Sequence, residues 1–169
     1  MFIVLFILVI AVIGLDFASF YEKNVKVKAC INRSVKGSAL QVDTDALDAD
    51  GSNLSAKGIF LIHSDKADIA FKYLLSENLG LVQSGFDENV LESTGKSVIS
   101  GKLEILEFEV LNDYANMPYE YYSPTLDRNY LIENPSVFIV LKFQVRSHFL
   151  KREYTFGKLG SAELINSSE

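Results

Sequence analysis

The sequence predicts an α+β protein: one long N-terminal α-helix over about 2–42, then an antiparallel β-sheet head of four or five strands with one covering helix over about 65–79. Three observations predict it. The chain opens on an apolar run that continues as a stripe at helical spacing; one later segment, 65–79, repeats apolar residues at three and four; and the C-terminal half alternates apolar and polar residues with the two-residue period of strands. The division that follows is a hydrophobic helix with a basic stem, 1–42, and a globular head, 43–169.

Met1 to Leu15 contains no charged or strongly polar side chain. A single acid, Asp16, separates it from Phe17, Ala18, Ser19, Phe20 and Tyr21, so about 20 residues are available, which rise ~30 Å as a helix and match one hydrocarbon thickness. The stripe continues through Phe17, Phe20, Val27, Ile31, Val35, Ser38 and Val42, with Asn24 the polar exception. No proline precedes Pro118, and Gly14 and Gly37 are the only glycines in the stretch, so nothing forces a break before Val42.

The run is apolar all round, more than one side of a soluble core uses, which points to lipid or to a bundle of like helices. A secretory signal peptide fits less well, because no basic residue precedes Lys23 and Gly14 to Phe17 offers no small-x-small site. A carboxylate costs about +2.5 to +3.5 kcal/mol at the centre of a spanning helix and less near its edge. Asp16 is therefore expected either to mark the water boundary or to pair with a cation or chain terminus on a neighbouring helix and set register. Phe2, Phe6, Ile10, Asp16, Phe17, Phe20 and Tyr21 are the candidate assembly residues.

The run Gly14, Leu15, Asp16, Phe17, Ala18, Ser19, Phe20, Tyr21, continued by Val27, Lys28, Ala29, Cys30, Ile31, Asn32, Arg33, Ser34, Val35, Lys36, Gly37, Ser38, Ala39, resembles the TadE-like pilins and pseudopilins of type IV pilus-like tight-adherence systems. In that family an aliphatic stretch leads into an acid, a Phe, small residues and aromatics, then a long polar helix with alanines. The resemblance covers residues 1–42. It implies an exported subunit, membrane-anchored before assembly, handled by pilus assembly machinery and polymerised with identical subunits into a helical filament at the cell surface, its head exposed for adhesion or subunit contacts. It also implies a basic leader and a processing site ahead of the apolar stretch, neither of which lies within the residues from Met1 onward. The other reading is a single-pass, membrane-anchored extracytoplasmic binding module that stays monomeric.

Charge is unevenly placed. Lys23, Lys26, Lys28, Arg33 and Lys36 face only Glu22 in the stem, whereas the residues from Asp43 onward hold 11 basic and 20 acidic side chains. Stem and head are thus complementary between copies, or the stem contacts anionic lipid headgroups; exposed pairs are individually weak and salt-sensitive. The positive-inside rule would keep the head cytoplasmic, while the resemblance places it outside, and three Asn-x-Ser sequons at Asn32, Asn53 and Asn166 agree with export. An acidic head is a poor nucleic-acid ligand. Cys30 is the sole cysteine, so it is expected to pack between helices, the alternative being a bond to another copy.

No chemistry-bearing pattern appears. His63 and His148 are the only histidines, and there is no Gly-rich phosphate loop, nucleophile elbow or zinc spacing, so no enzyme activity, cofactor or metal is expected. Glu107 and Glu109 read as solvated positions of a strand.

With hydrophobic residues at 49% and 12 Phe beside 8 Tyr, residues 43–169 have enough apolar material for one folded head. The stretch from Asp43 to Asn53 reads as an acidic linker. Placing Asp48, Asp50 and Gly51 on the EF-hand pattern puts Ala46 first and Lys57 last, which omits the opening acid and the bidentate Glu, so a calcium site there is the lesser expectation. Gly58 to Ile62 reads as a short strand. The helix from Asp65 to Leu79 is expected to be capped by Ser64 and closed by Gly80. Gln83 to Gly95 reads as irregular.

Strands follow. In Ser97 to Leu111 the alternation slips by one between Ile105 and Leu106, which predicts a bulge or two strands meeting at Gly101. Val137, Ile139, Leu141, Phe143 and Val145 form the cleanest alternation, with Phe138 and Val140 on the other face before it turns polar at Lys142. Glu153 to Phe156 and Ser161 to Ile165 read as two short returning strands. Between them, Asn112 to Pro135 reads as a loop holding all three prolines and Tyr114, Tyr119, Tyr121, Tyr122 and Tyr130. These tyrosines either pack the loop onto the head or form an adhesive or subunit-contact surface.

Overall fold

The computed structural model describes residues 2–44, 60–148 and 150–164. Among them run α1 (Phe2–Ala39), α2 (Ser64–Leu79), β1 (Leu81–Gln83), β2 (Val90–Ser93), β3 (Lys102–Leu111), a 3-10 turn (Tyr114–Asn116), β4 (Tyr119–Ser123), β5 (Arg128–Ile132), β6 (Ser136–Arg146) and β7 (Glu153–Glu163). The fold is α+β, as expected. A five-stranded antiparallel sheet in the order β1-β2-β3-β6-β7 carries both helices on one face, and the β4–β5 hairpin lies on the other.

α1 is a single helix of 38 residues, ending at Ala39 rather than at the expected Val42. It stops there because the next residues pair as a strand: Val42 bridges Ile62, with Asp43 N donating to Leu61 O at 2.8 Å and His63 N to Gln41 O at 2.7 Å. Of the strand expected from Gly58 to Ile62, only the bridge at Ile62 forms among the described residues; positions 58 and 59, and the acidic stretch from Asp45 to Asn53, lie outside the described residues. The stripe on α1 does what its spacing requires. Val27, Ile31 and Val35 are buried on the sheet and on α2, together with Cys30, Ser34, Ser38 and Ala39. Ser38 Oγ donates to Ala67 O at 2.7 Å and the Cys30 thiol lies 3.7 Å from Asn78 O, tying α1 to α2.

The α2 helix buries Ala67, Phe71, Leu75 and Leu79, one face at a spacing of four. Its cap is His63, whose side chain accepts from Lys66 N, and the expected cap Ser64 is instead the first helical residue. Gly80 closes the helix as expected, in the left-handed region at φ 63°, with its N–H bonded to Ser76 O.

The sheet has five strands, within the four or five expected, but two of them are not those the sequence pattern marked. β2 lies within the region read as irregular and β1 immediately before it, running into it at Gln83; Leu81 and Leu91 are their buried residues. The predicted bulge in β3 is present between Ile105 and Glu107, and it lets Leu103 and Ile105 before it, and Phe108 and Val110 after it, share the helix-covered face. The two short strands expected near the C-terminus are one continuous β7, paired with β6 from Ser136↔Glu163 to Arg146↔Glu153. The loop expected over Asn112 to Pro135 contains the β4–β5 hairpin, so β6 is covered on both faces from Ser136 to Leu141 and alternates only beyond Lys142.

One position sets how closely α1 can lie on the sheet. At Gly160 in β7 an added Cβ would sit 3.0 Å from Val35 Cγ2 and 3.1 Å from both Ile31 Cγ2 and Ile139 Cγ1, whereas at Gly157 it would meet nothing within 4 Å. Gly160→Ala is therefore expected to destabilise the chain by about 1–3 kcal/mol and Gly157→Ala to change stability by less than about 0.5 kcal/mol. Urea unfolding of the full chain in detergent, followed by tyrosine near-ultraviolet circular dichroism, compares the two.

Candidate membrane and assembly surface

The N-terminal half of α1 leaves the head. Phe2, Phe6 and Ile10 are exposed, and beyond Asp16 the apolar surface continues on the outer side at Phe17, 68% exposed, and Tyr21, 62% exposed. The helix is long and apolar enough to cross a membrane, and only 6% of its most apolar 18-residue window is buried, which sets it apart from the core helix of a soluble domain. Lys26, Lys28, Arg33 and Lys36 stand on the exposed side of the stem, opposite the stripe that packs on the sheet.

Two of the seven candidate assembly residues turn inward. Asp16 is only 4% exposed, and the Leu150 N–H donates to its Oδ1 at 3.4 Å. Phe20 packs on the end of β7, its ring centroid 4.9 Å from Tyr154 and 5.4 Å from Phe156. One turn further along α1, Lys23 Nζ donates to Arg146 O at 2.9 Å. The acid thus meets the turn between β6 and β7 of its own head, while Phe2, Phe6, Ile10, Phe17 and Tyr21 remain outward.

The tyrosine-rich segment divides in the same manner. Tyr119, Tyr121 and Tyr130 pack beneath the hairpin, with the Tyr121 and Tyr130 rings 5.1 Å and 4.9 Å from that of Phe138. Tyr114 and Tyr122 are exposed, and the Tyr122 hydroxyl donates to Asp127 Oδ1 at 2.7 Å. Of the five tyrosines, these two are the ones available to a partner.

Glu107, read from the sequence as solvated, is buried at 8% exposure. The bulge turns it onto the Phe138 and Val140 face, under the hairpin, while Glu109 stays exposed. Its carboxylate accepts from the Tyr121 hydroxyl at 2.8 Å, the Ser123 hydroxyl at 2.7 Å and Thr125 N at 3.3 Å. Burial alone would push the carboxyl up, but the hydrogen bonds from Thr125, Ser123 and Tyr121 outweigh it and hold it below the ordinary carboxylate value. The Tyr121 phenol is pushed well above the usual tyrosine range by burial and then by its bond to Glu107. The signal was in the sequence, because a slip of one residue at Leu106 puts Glu107 in phase with Phe138.

Cys30 is buried between α1 and α2, the packing role expected of it. Among the described residues no group of three or more His, Cys, Asp or Glu side chains is placed to hold a metal ion. The chain is thus an α+β head built onto the second half of a helix whose first half is bare, apolar and long enough to enter a membrane. No protein-family model matches it, and no curated protein or solved structure matches it.

Glu107→Gln keeps the shape but loses the charge that its donors face, and is expected to cost about 1–3 kcal/mol at neutral pH. Since the folded value lies below the ordinary 4.5, the stability that Glu107 contributes is complete above the unfolded value and is lost as pH falls through the folded one. Denaturant midpoints measured from neutral pH down to the acid limb should therefore fall more steeply for the native chain than for Glu107→Gln.

Proposed function

We propose that the chain is a pilin-like structural subunit, held in a membrane by the first half of α1 and then assembled with identical copies into a cell-surface filament whose core is that half-helix. The observation that carries this reading is the bare half of α1, continuous with the helix that forms part of the head's core. Removing an apolar side chain from water is worth ~1.5–3 kcal/mol, so covering the exposed run outweighs exposed ion pairs of at most ~1 kcal/mol each. Lipid covers it before assembly and the same run of neighbouring copies covers it afterwards. The resemblance of residues 1–42 to TadE-like pilins supports the polymeric form, and cations on the exposed side of the stem suit acidic heads of adjacent copies. The chain acts as a building element rather than an enzyme.

A second reading, a membrane-anchored module that remains monomeric, draws on Asp16. A carboxylate turned onto its own head has less to offer a neighbouring helix. In the filament reading Asp16 instead fixes the angle between rod and head, which sets where each head falls on the fibre.

Electron microscopy of sheared surface material separates the two. Fibres that contain this chain are expected, whereas a detergent-soluble monomer with no fibres would overturn the polymeric reading. Asp16→Ala should lower filament yield while leaving membrane insertion intact, and unchanged yield would remove its role. For the head, Tyr114→Ser with Tyr122→Ser should reduce surface attachment at unchanged folding, while Tyr121→Ser should lower stability because it strips a donor from Glu107.

A further inference from the structure

The turn between β6 and β7 is closed by its own hydrogen bonds: Ser147 N to Arg152 O at 2.8 Å, Arg152 N to Ser147 Oγ at 3.0 Å, and Arg146 Nε to Lys151 O at 3.3 Å. It lies against α1 at the level of Asp16 to Lys23, through the Leu150, Tyr154 and Arg146 contacts. A cleft of about 250 Å³ separates Ile13 and Phe17 of α1 from Leu150, Arg152 and Tyr154.

The position of this turn along α1 is what matters. Exposed apolar surface is unbroken on the outer side of the helix as far as Tyr21; the first run of polar residues, Glu22, Lys23, Asn24, follows it, with Val25 the next exposed apolar side chain beyond. The rise from Phe17 to Tyr21 is only ~6 Å, comparable with the interfacial layer on one side of a bilayer, about 5–8 Å thick. A bilayer that covers Phe17 and Tyr21 on one side of α1 therefore bathes the turn on the other.

The turn carries the side chains suited to that layer. Leu150 and Tyr154 are exposed, as are Arg146, Lys151 and Arg152, and Lys23 adds a cation from α1. The nearby acids are Glu22 on α1 and Glu153 on β7, while Asp16 is turned into its contact with Leu150. Three cations against one acid in nine residues stand out in a head whose acids outnumber its bases 20 to 11. None of the ion pairs between described residues engages these cations. Aromatic and aliphatic side chains at headgroup depth beside Lys and Arg are the composition of an interfacial anchor.

We propose that the β6–β7 turn docks into the headgroup layer of an anionic phospholipid membrane. Arg146, Lys151 and Arg152 meet lipid phosphates, Leu150 and Tyr154 enter beside the span, and the head is held to the bilayer at a second point. The inference rests on the membrane-resident state of the proposed function and is independent of polymerisation.

The chain has no tryptophan, so Leu150→Trp gives a single reporter, with Tyr122→Trp on the hairpin as its counterpart away from the turn. Each full-length variant is reconstituted into phosphatidylcholine vesicles with or without phosphatidylglycerol, floated on a gradient, and quenched with brominated lipids. Leu150→Trp is expected to be quenched in anionic vesicles and much less in neutral ones, with Tyr122→Trp unquenched in both. Adding Lys151→Gln and Arg152→Gln should weaken docking about 25-fold, at roughly fivefold per cation near an anionic surface. Tyr154→Trp repeats the measurement at a second site if Leu150→Trp disturbs folding. Floated chains in which the turn reporter is no more quenched than Tyr122→Trp, or is quenched alike in both vesicles and in the cation variant, overturn the headgroup contact while the anchor stands. Chains that do not float remove the anchor and the headgroup contact together.

Discussion

The burial of Val27, Ile31 and Val35 against the sheet is the contact on which the rest of the molecule depends. Each of these side chains is worth ~1.5–3 kcal/mol on leaving water, and all three sit on the helix that also carries the bare apolar run. Had the stripe ended at the membrane edge, the head would hang from a linker. Instead the same backbone runs from the exposed Phe2 into the core at Val35 with no irregular residue between. The geometry needs a close approach, and Gly160 provides it where a side chain would meet Ile31, Val35 and Ile139.

Around that contact the sheet is built outward from β6. That strand is paired along its length, with β3 on one side and β7 on the other, and Ser136 to Leu141 is buried without alternation because both faces are covered: the helices cover Val137, Ile139 and Leu141, and the tyrosine hairpin covers Phe138 and Val140. The hairpin side also takes a carboxylate out of water. Glu107 is tolerated there because three donors from the hairpin and its turn meet it, so the polar cluster ties a two-stranded ribbon, marginal alone, to the main sheet.

Much of this was legible in the residues. The apolar run, the continuous helix and the 65–79 helix with its Gly80 stop each follow from a local pattern strong enough to decide the structure unaided, whereas the slip after Ile105 left a bulge and a strand break at Gly101 both open until the pairing with β6 chose the bulge. What was not legible depends on partners distant in sequence. Residues 153–163, with glycines at 157 and 160 and no clean alternation, become one strand only because β6 offers a full-length template and α1 closes over the small side chains. β1 and β2 are short, and their strand character comes from pairing with each other and with β3. The inward turn of Asp16 and Phe20 reflects a contact with Leu150 and Tyr154 more than 130 positions away, which no helical periodicity records.

An unbroken α1 makes the molecule a lever with no slack. Tilting the rod by about 10° at the Asp16 contact would displace its far end by roughly 4 Å, given ~21 Å of helix between Phe2 and Leu15. A pull on the head travels along one ladder of backbone hydrogen bonds to the oily end, so mechanical load at the outer surface arrives undiminished at whatever surrounds the rod.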